Sequence, residues 1–301
     1  MNVVTFPGFG LEFHLKQVAF TVMGHSIYWY GIIIALGFAL GAMFCWKYAA
    51  CFGIRQDDLV DMLLFATPAA IIGARIYYVI FYLDRFRNPD GTLNIPDMFR
   101  IHNGGIAIYG AIIAAAITCY LVTRYKKLPF FAMADLCVFG LLIGQLVGRW
   151  GNFINVEAYG RETSLPWRMG IYDIVNGAKQ YLEVHPTFLY ESLWNLLGLI
   201  LLFVIFKKGL RRFDGMFFFA YVAWYGFGRG LIEGLRTDSL YFYNLTFFGE
   251  PIRTSQMLGF LTCIVALVYL VIRLWRHPNQ ELLYVKKIEK EKSEESANDN
   301  P

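Results

Sequence analysis

The sequence predicts an all-α, polytopic integral membrane protein of seven transmembrane helices, and three observations predict it. The 301 residues are 57% hydrophobic and 18% aromatic but only 17% charged, with a mean hydropathy of +0.44, a balance too apolar for an ordinary soluble domain. Seven runs reach the roughly 20 mostly apolar residues that a helix needs to cross a bilayer while satisfying its own backbone. Between them, the basic residues on one side gather in short loops, which is how membrane helices are oriented.

The runs are about Ile27 to Trp46, Met62 to Leu83, Gly104 to Thr123, Phe130 to Ile154, Pro186 to Phe206, Gly215 to Leu235 and Ser255 to Ile272. They divide the chain into an N-terminal segment (1–26), a seven-helix membrane domain (27–275) and a polar tail (276–301). A loop region at about 155–185 separates spans four and five. The N-terminus lacks the basic stretch of a secretory signal, so the first span is expected to stay in the mature protein.

Before the tail, Lys and Arg totals are equal on the two sides, so their density decides the orientation. Lys47 and Arg55, then Arg124, Lys126 and Lys127, then Lys207, Lys208, Arg211 and Arg212 form compact clusters. The opposite loops dilute their basic residues with Asp84, Asp90, Asp97, Glu157, Glu162, Asp173, Glu183, Asp238 and Glu250. The N-terminus is therefore expected outside and the C-terminus inside, with the tail KKIEKEKSEESANDNP cytoplasmic and disordered.

Other classes are weakened. The basic residues form no stripe suited to nucleic acid, despite a net charge of +4. The five cysteines form no CxxC pair, and neither a metal nor a nucleotide motif is visible, so no cofactor is implied. Within the spans, Gly140, Gly144 and Gly148 recur every four residues, as do Gly37 and Gly41. Such stripes let helices approach closely, and packing is their expected role.

Charges inside apolar spans are functional by default. In GRWGNFINVEAYGR (148–161), Arg149 and Asn152 are three apart and share a helix face. The Arg149 fork suits a phosphate, so a phospholipid head group is its natural partner, with interfacial anchoring or a pair with Glu157 as the alternative. In AYVAWYGFGRGLIEGLRTD, Tyr225, Arg229 and Glu233 fall four apart on one stripe that Arg236 continues. They form either a site or a buried ion pair. His102 at the mouth of span three stays unassigned. Arg75 in span two and Glu191 in span five are read as packing groups that hold neighbouring helices.

Six strings occur in order along nearly the whole chain: IYWYG, GARIYYVIFY, HNGGIAIYGA, GRWGNFINVEAYGR, HPTFLYE and YGFGRGLIEGLR. Together they resemble the prolipoprotein diacylglyceryl transferases of bacterial inner membranes. The resemblance implies transfer of the diacylglyceryl group of phosphatidylglycerol to the lipobox cysteine thiol of a prolipoprotein signal peptide, forming a thioether and releasing glycerol phosphate. It also implies a multi-pass inner-membrane protein with its site facing the periplasm. The family's important positions fall on Tyr30, Arg149, Asn152, Glu157, Gly160, Tyr225, Arg229 and Glu233. Many members read SFHGG where this chain has Ile108-Tyr109-Gly110-Ala111, so a histidine proposed as a base there is Tyr109 here.

The chemistry needs a thiolate and a stabilised leaving phosphate. Arg149 and Arg229 are the expected clamp, with Tyr30, Asn152, Gly160, Tyr225 and Arg236 as further phosphatidylglycerol contacts. Tyr109, Glu157 and Glu233 are the candidate proton acceptors. A transporter or flippase of an anionic lipid or metabolite is the rival, since an arginine stripe serves binding as readily as catalysis. An assembly scaffold is a third reading.

Overall fold

The computed structural model describes the chain except for residues 1, 89, 101–103, 176–177, 238–240, 248–249, 277 and 299–301, and gives only the main chain at 175, 241–247, 250–252 and 295–298. His102 and Asn103 of the HNGG string, and Asp238, lie outside the described residues. The chain divides into two compact units, residues 1–45 with 135–283, and residues 46–134 with 284–301.

Most of the described chain is helical. Six helices are long and apolar enough to cross a membrane: α1 (Trp29–Tyr48, continued by a 3-10 turn to Phe52), α2 (Gln56–Phe81), α4 (Ile108–Tyr125), α5 (Phe130–Asn155), α6 (Thr187–Lys207) and α8 (Thr254–Trp275). The seventh expected span is also a helix, α7 (Met216–Glu233), with Arg229 and Glu233 in its last two turns. A short helix, α3 (Ile95–Phe99), lies between α2 and α4. Large side chains such as Leu36, Phe38, Leu64, Ile113, Leu197, Leu261 and Val268 stand exposed along these helices. A face of that extent aggregates in water and is covered by lipid in a bilayer.

Two expectations are corrected. The chain is not all-α: β1 (Asn2–Phe6), β2 (Leu11–Leu15), β5 (Met169–Val175) and β6 (Ala178–Val184) form an antiparallel sheet in the order β2-β1-β5-β6. Thr5 pairs with Gly170, so the sheet joins the N-terminal segment to the region read as loop. That partner lies far along the sequence, and strands this short carry little periodic signal alone. Two hairpins add β3 (Val18–Val22) with β4 (His25–Tyr28), and β7 (Tyr241–Phe247) with β8 (Glu250–Arg253). The tail is corrected too, since Tyr284–Asn298 forms helix α9 rather than a structureless segment. Lys286 with Glu289, and Lys290 with Glu294, supply the i,i+3 and i,i+4 pairs that support a polar helix.

In the larger unit, the glycine stripes face each other. A Cβ on Gly41 would stand 2.6 Å from the Gly140 carbonyl oxygen, and one on Gly37 would stand 3.2 Å from that of Gly144. The α1–α5 seam then widens, with Ile34 against Gly148 and the Tyr30 ring against Gly151. Tyr30 is thereby laid on the end of α5. The α6–α7 pair is fastened by Trp194 and Trp224, whose rings stack 4.2 Å apart at 14°. Each indole Nε1 donates to the other's carbonyl oxygen at 3.0 Å, in the space left by Gly198 and Gly228. The sheet closes the same end: Val4, Met169, Ile171 and Val184 pack on Phe153 of α5 and Phe188 of α6.

In the smaller unit, Gly73 of α2 meets Gly110 of α4, where a Cβ would be 2.7 Å from the Gly110 carbonyl oxygen. Arg75 donates to the carbonyls of Asp97, Met98, Gly104 and Gly105 at 2.6 to 2.8 Å, fixing the backbone between α2 and α4 as a packing group should. At the other end of α2, Lys126 bridges Asp58 and Asp61.

Overpacking a tight seam costs about 1 to 3 kcal/mol. Gly41→Leu is therefore expected to lower the unfolding midpoint of the purified protein by several degrees, whereas Leu36→Ala on the lipid-facing side leaves it near the parent value; thermal unfolding in detergent checks both.

Candidate active site

Three helix ends converge on one carboxylate. Glu191, on the second turn of α6, is 5% exposed and takes an ion pair from Arg149 of α5 through one oxygen. Its other oxygen faces Arg229 Nη1 at 3.2 Å and Arg236 Nη1, just past α7, at 3.5 Å. Glu233 holds the far side, with Arg229 Nη2 at 2.6 Å and Arg236 Nε at 3.9 Å. Three guanidinium groups thus share two buried carboxylates. The arginine side chains keep between 12 and 20% of their surface exposed, enough to receive a ligand. Removing one partner from such a network strands a charge at a cost of about 3 to 5 kcal/mol, so the cluster is held as a whole.

The local fold explains why these side chains meet. The Trp194–Trp224 clasp sits one turn from Glu191 on α6 and within two turns of Arg229 on α7, which fixes the two helices at the height of the cluster. Arg236 is placed by the backbone: Gly160 bridges Arg236, and Arg161 N donates to the Leu235 carbonyl at 2.8 Å. Arg253 reinforces this turn by donating to the carbonyls of Glu233 and Arg236. Gly160 must be glycine for close approach, since a Cβ there would lie 2.7 Å from the His185 Cβ and 3.1 Å from the Leu235 carbonyl oxygen. Burial and the Arg161 cation hold His185 below the usual imidazole value, so it stands neutral at pH 7 with its Nδ1 3.1 Å from the Tyr190 hydroxyl.

Beside the cluster, Arg149 Nη1 reaches Asn152 Oδ1 at 3.5 Å, and Asn152 Nδ2 donates to Glu157 at 2.8 Å. Glu157 is exposed, and its neighbours Val156 and Ala158 both have left-handed backbones, with φ of 55° and 56°. Such conformations cost non-glycine residues about 1 to 2 kcal/mol each and are held only where the surroundings impose them. Here Thr187 binds the Ala158 carbonyl and Val156 packs among the core residues below the sheet. Tyr30 lies close enough to feel the charges of both Glu157 and Arg149. From Tyr30, an open groove runs along the start of α1, lined by Ile27, Tyr28, Gly31, Ile32 and Asn155.

The structure therefore brings together Arg149, Asn152, Glu157, Tyr30, Gly160, Arg229, Glu233 and Arg236. Tyr225, one turn before Arg229, stacks on Tyr221 at 5.7 Å. The sequence alternative of an Arg149–Glu157 pair gives way to Arg149–Glu191, with Glu157 taken by Asn152. Tyr109 belongs to the smaller unit, its ring 6.3 Å from that of Tyr77. Sequence reasoning missed Glu191: it does tie helices, as a packing group would, but it does so at the centre of the arginine cluster. The available signal was its place within HPTFLYES, about one turn into an apolar span.

Such a constellation presents planar forks of donors to an anion of the size of a phosphate, beside an exposed phenol, an amide and an exposed carboxylate. A model of the family described as prolipoprotein diacylglyceryl transferase matches residues 17–272. A phosphatidylglycerol–prolipoprotein diacylglyceryl transferase of Finegoldia magna is 44% identical over 259 residues, covering 86% of this chain and 96% of the relative. Proteins of the same description from Clostridioides difficile and Listeria monocytogenes are each 40% identical, over 259 and 265 residues, covering 85% and 86% of this chain and 96% and 90% of the relatives. With a match over most of its length and identity well above what family membership requires, the chain belongs to the prolipoprotein diacylglyceryl transferase family.

Proposed function

We propose that this protein transfers the diacylglyceryl group of phosphatidylglycerol to the lipobox cysteine of a prolipoprotein, forming a thioether and releasing glycerol phosphate. The observation that carries the reading is the convergence of Arg149, Arg229 and Arg236 on one carboxylate, Glu191, with 12 to 20% of each arginine side chain still exposed. The cysteine sulfur attacks the glyceryl carbon bonded to the phosphate oxygen, the S–C bond forms and the C–O bond breaks. The phosphate leaves with an added negative charge, which arginines already in place stabilise without reorganising. Arg149 and Arg229 form the clamp, and Arg236 extends it.

The thiol must lose its proton, because the thiolate is the nucleophile. Glu157 is the acceptor in this reading: it is exposed, anchored by Asn152 and held in a strained turn next to Arg149. Glu233 is engaged by Arg229 and Arg236 and serves to orient them. The open groove beside Tyr30, largely apolar, suits an acyl chain entering from the bilayer.

The same reading includes α7 as a seventh span, the sheet and the arginine cluster on the periplasmic side, and the C-terminus in the cytoplasm of a bacterium whose inner membrane holds the protein. The clustering of basic residues in the short loops supports that orientation.

Incubation of purified protein with phosphatidylglycerol and a lipobox cysteine peptide is expected to give a peptide heavier by one diacylglyceryl group; a transporter leaves the peptide mass unchanged. Loss of a preorganised donor at developing charge costs about 10²- to 10³-fold in rate. Arg149→Ala and Arg229→Ala are each expected to lower turnover at least that much with an unchanged circular dichroism spectrum, and near-normal turnover in both sinks the clamp. Glu157→Gln is expected to lower kcat by about 10²-fold, in the range of a lost general base, whereas Tyr109→Phe stays within a few-fold; the reverse order moves the base to Tyr109.

A further inference from the structure

The arginines proposed to grip the lipid phosphate are not idle before it arrives. Glu191 occupies donors on all three, one oxygen on Arg149 and the other on Arg229 and Arg236. A carboxylate accepts the same planar forks as a phosphate, with two oxygens in place of two. It is also almost wholly buried and comes from a separate helix, α6, so it enters the cluster as a foreign anion would. We propose that Glu191 is a built-in counter-anion that holds the phosphate site in the resting enzyme, yields arginine donors to the lipid phosphodiester, and retakes them to expel the phosphate monoester product. This rests on the phosphate-clamp reading above.

Charge makes the direction definite. Arg149, Arg229, Arg236 and the adjoining Arg253 against Glu191, Glu233 and the neighbouring Glu157 leave a net charge of +1. A phosphodiester carries one negative charge, so phosphatidylglycerol bound there gives a neutral cluster. Glycerol phosphate is a monoester whose second ionisation lies near pH 6, so at pH 7 it carries about −1.5 to −2. The same cluster then holds an excess negative charge in a poorly screened environment, which disfavours retention. Glu191 thus makes the site select the diester over the monoester and lets product leave. With Glu191 neutral, the cluster carries +2 and matches the product instead.

The alternative is that Glu191 only braces the arginines. The two roles move product affinity in opposite directions, because loss of a brace loosens the clamp and loss of a competing anion tightens it. Isothermal titration of sn-glycerol 1-phosphate into the full-length protein in detergent at pH 7.5 reads this without turnover. Glu191→Gln is expected to bind it at least tenfold more tightly than the parent, with a smaller decrease in KM for phosphatidylglycerol and a reduced kcat as release becomes slow. Glu191→Asp keeps the charge but retracts it by one methylene, and is expected to shift affinity the same way by a smaller factor; its result decides the matter if Glu191→Gln does not fold. Unchanged or weaker binding of glycerol phosphate in the folded variant overturns the proposal. Arg149→Ala titrated alongside separates the two ideas: if it binds glycerol phosphate as well as the parent does, the phosphate clamp itself fails.

Discussion

The contact on which the site depends is the grip of Arg149, Arg229 and Arg236 on the Glu191 carboxylate. Charges buried in an apolar helical assembly are tolerated only when paired, and here the pairing is made across α5, α6 and the end of α7 as well as within α7 itself. Each charge thereby enforces the position of a helix, and each helix enforces the position of a charge. The same arrangement that satisfies the desolvated arginines collects donors at one point, which is what binding or developing negative charge requires. Stability and chemistry draw on the same groups.

The remainder of the larger unit keeps those three ends in register. Glycine contacts draw α1 against α5 and deliver the Tyr30 ring to Gly151, beside the arginine-bearing turn. In a membrane there is no hydrophobic drive between helices, so close backbone approach and polar fasteners must do this work. The Trp194–Trp224 clasp does both, stacking two large rings and satisfying two indole donors between α6 and α7. Outside the spans, the sheet caps the site. Its buried face rests on Phe153 and Phe188, and the strand-like run through Gly160 reaches back to Arg236. The strained Val156–Ala158 turn that presents Glu157 is held by these contacts.

Much of this was legible in the chain. The length and apolarity of the runs set the helices to within a few residues in most cases, because a bilayer imposes a minimum length and lets few charges pass. The glycine spacing announced close seams, and the four-residue spacing of Tyr225, Arg229 and Glu233 put them on one stripe. The sheet was not legible, since β1 finds β5 only after helices α1 to α5 have intervened, and strands this short have little periodicity to separate them from loop. The helical tail was missed because its polar composition reads as disorder when its charge pairs are not weighed.

By itself the sequence determined which residues had to be explained, because an arginine or glutamate in an apolar span is too costly to be incidental, and the order of its strings determined the family. Only the tertiary structure decided who meets whom. Helical periodicity relates residues within one element, so it linked Arg229 to Glu233 and Arg149 to Asn152. It has nothing to say of a residue on another helix, and Glu191 was therefore read as packing alone. Bringing α6 against α5 and α7 turned that carboxylate into the centre of the arginine cluster, because a buried guanidinium takes whichever anion the packing supplies.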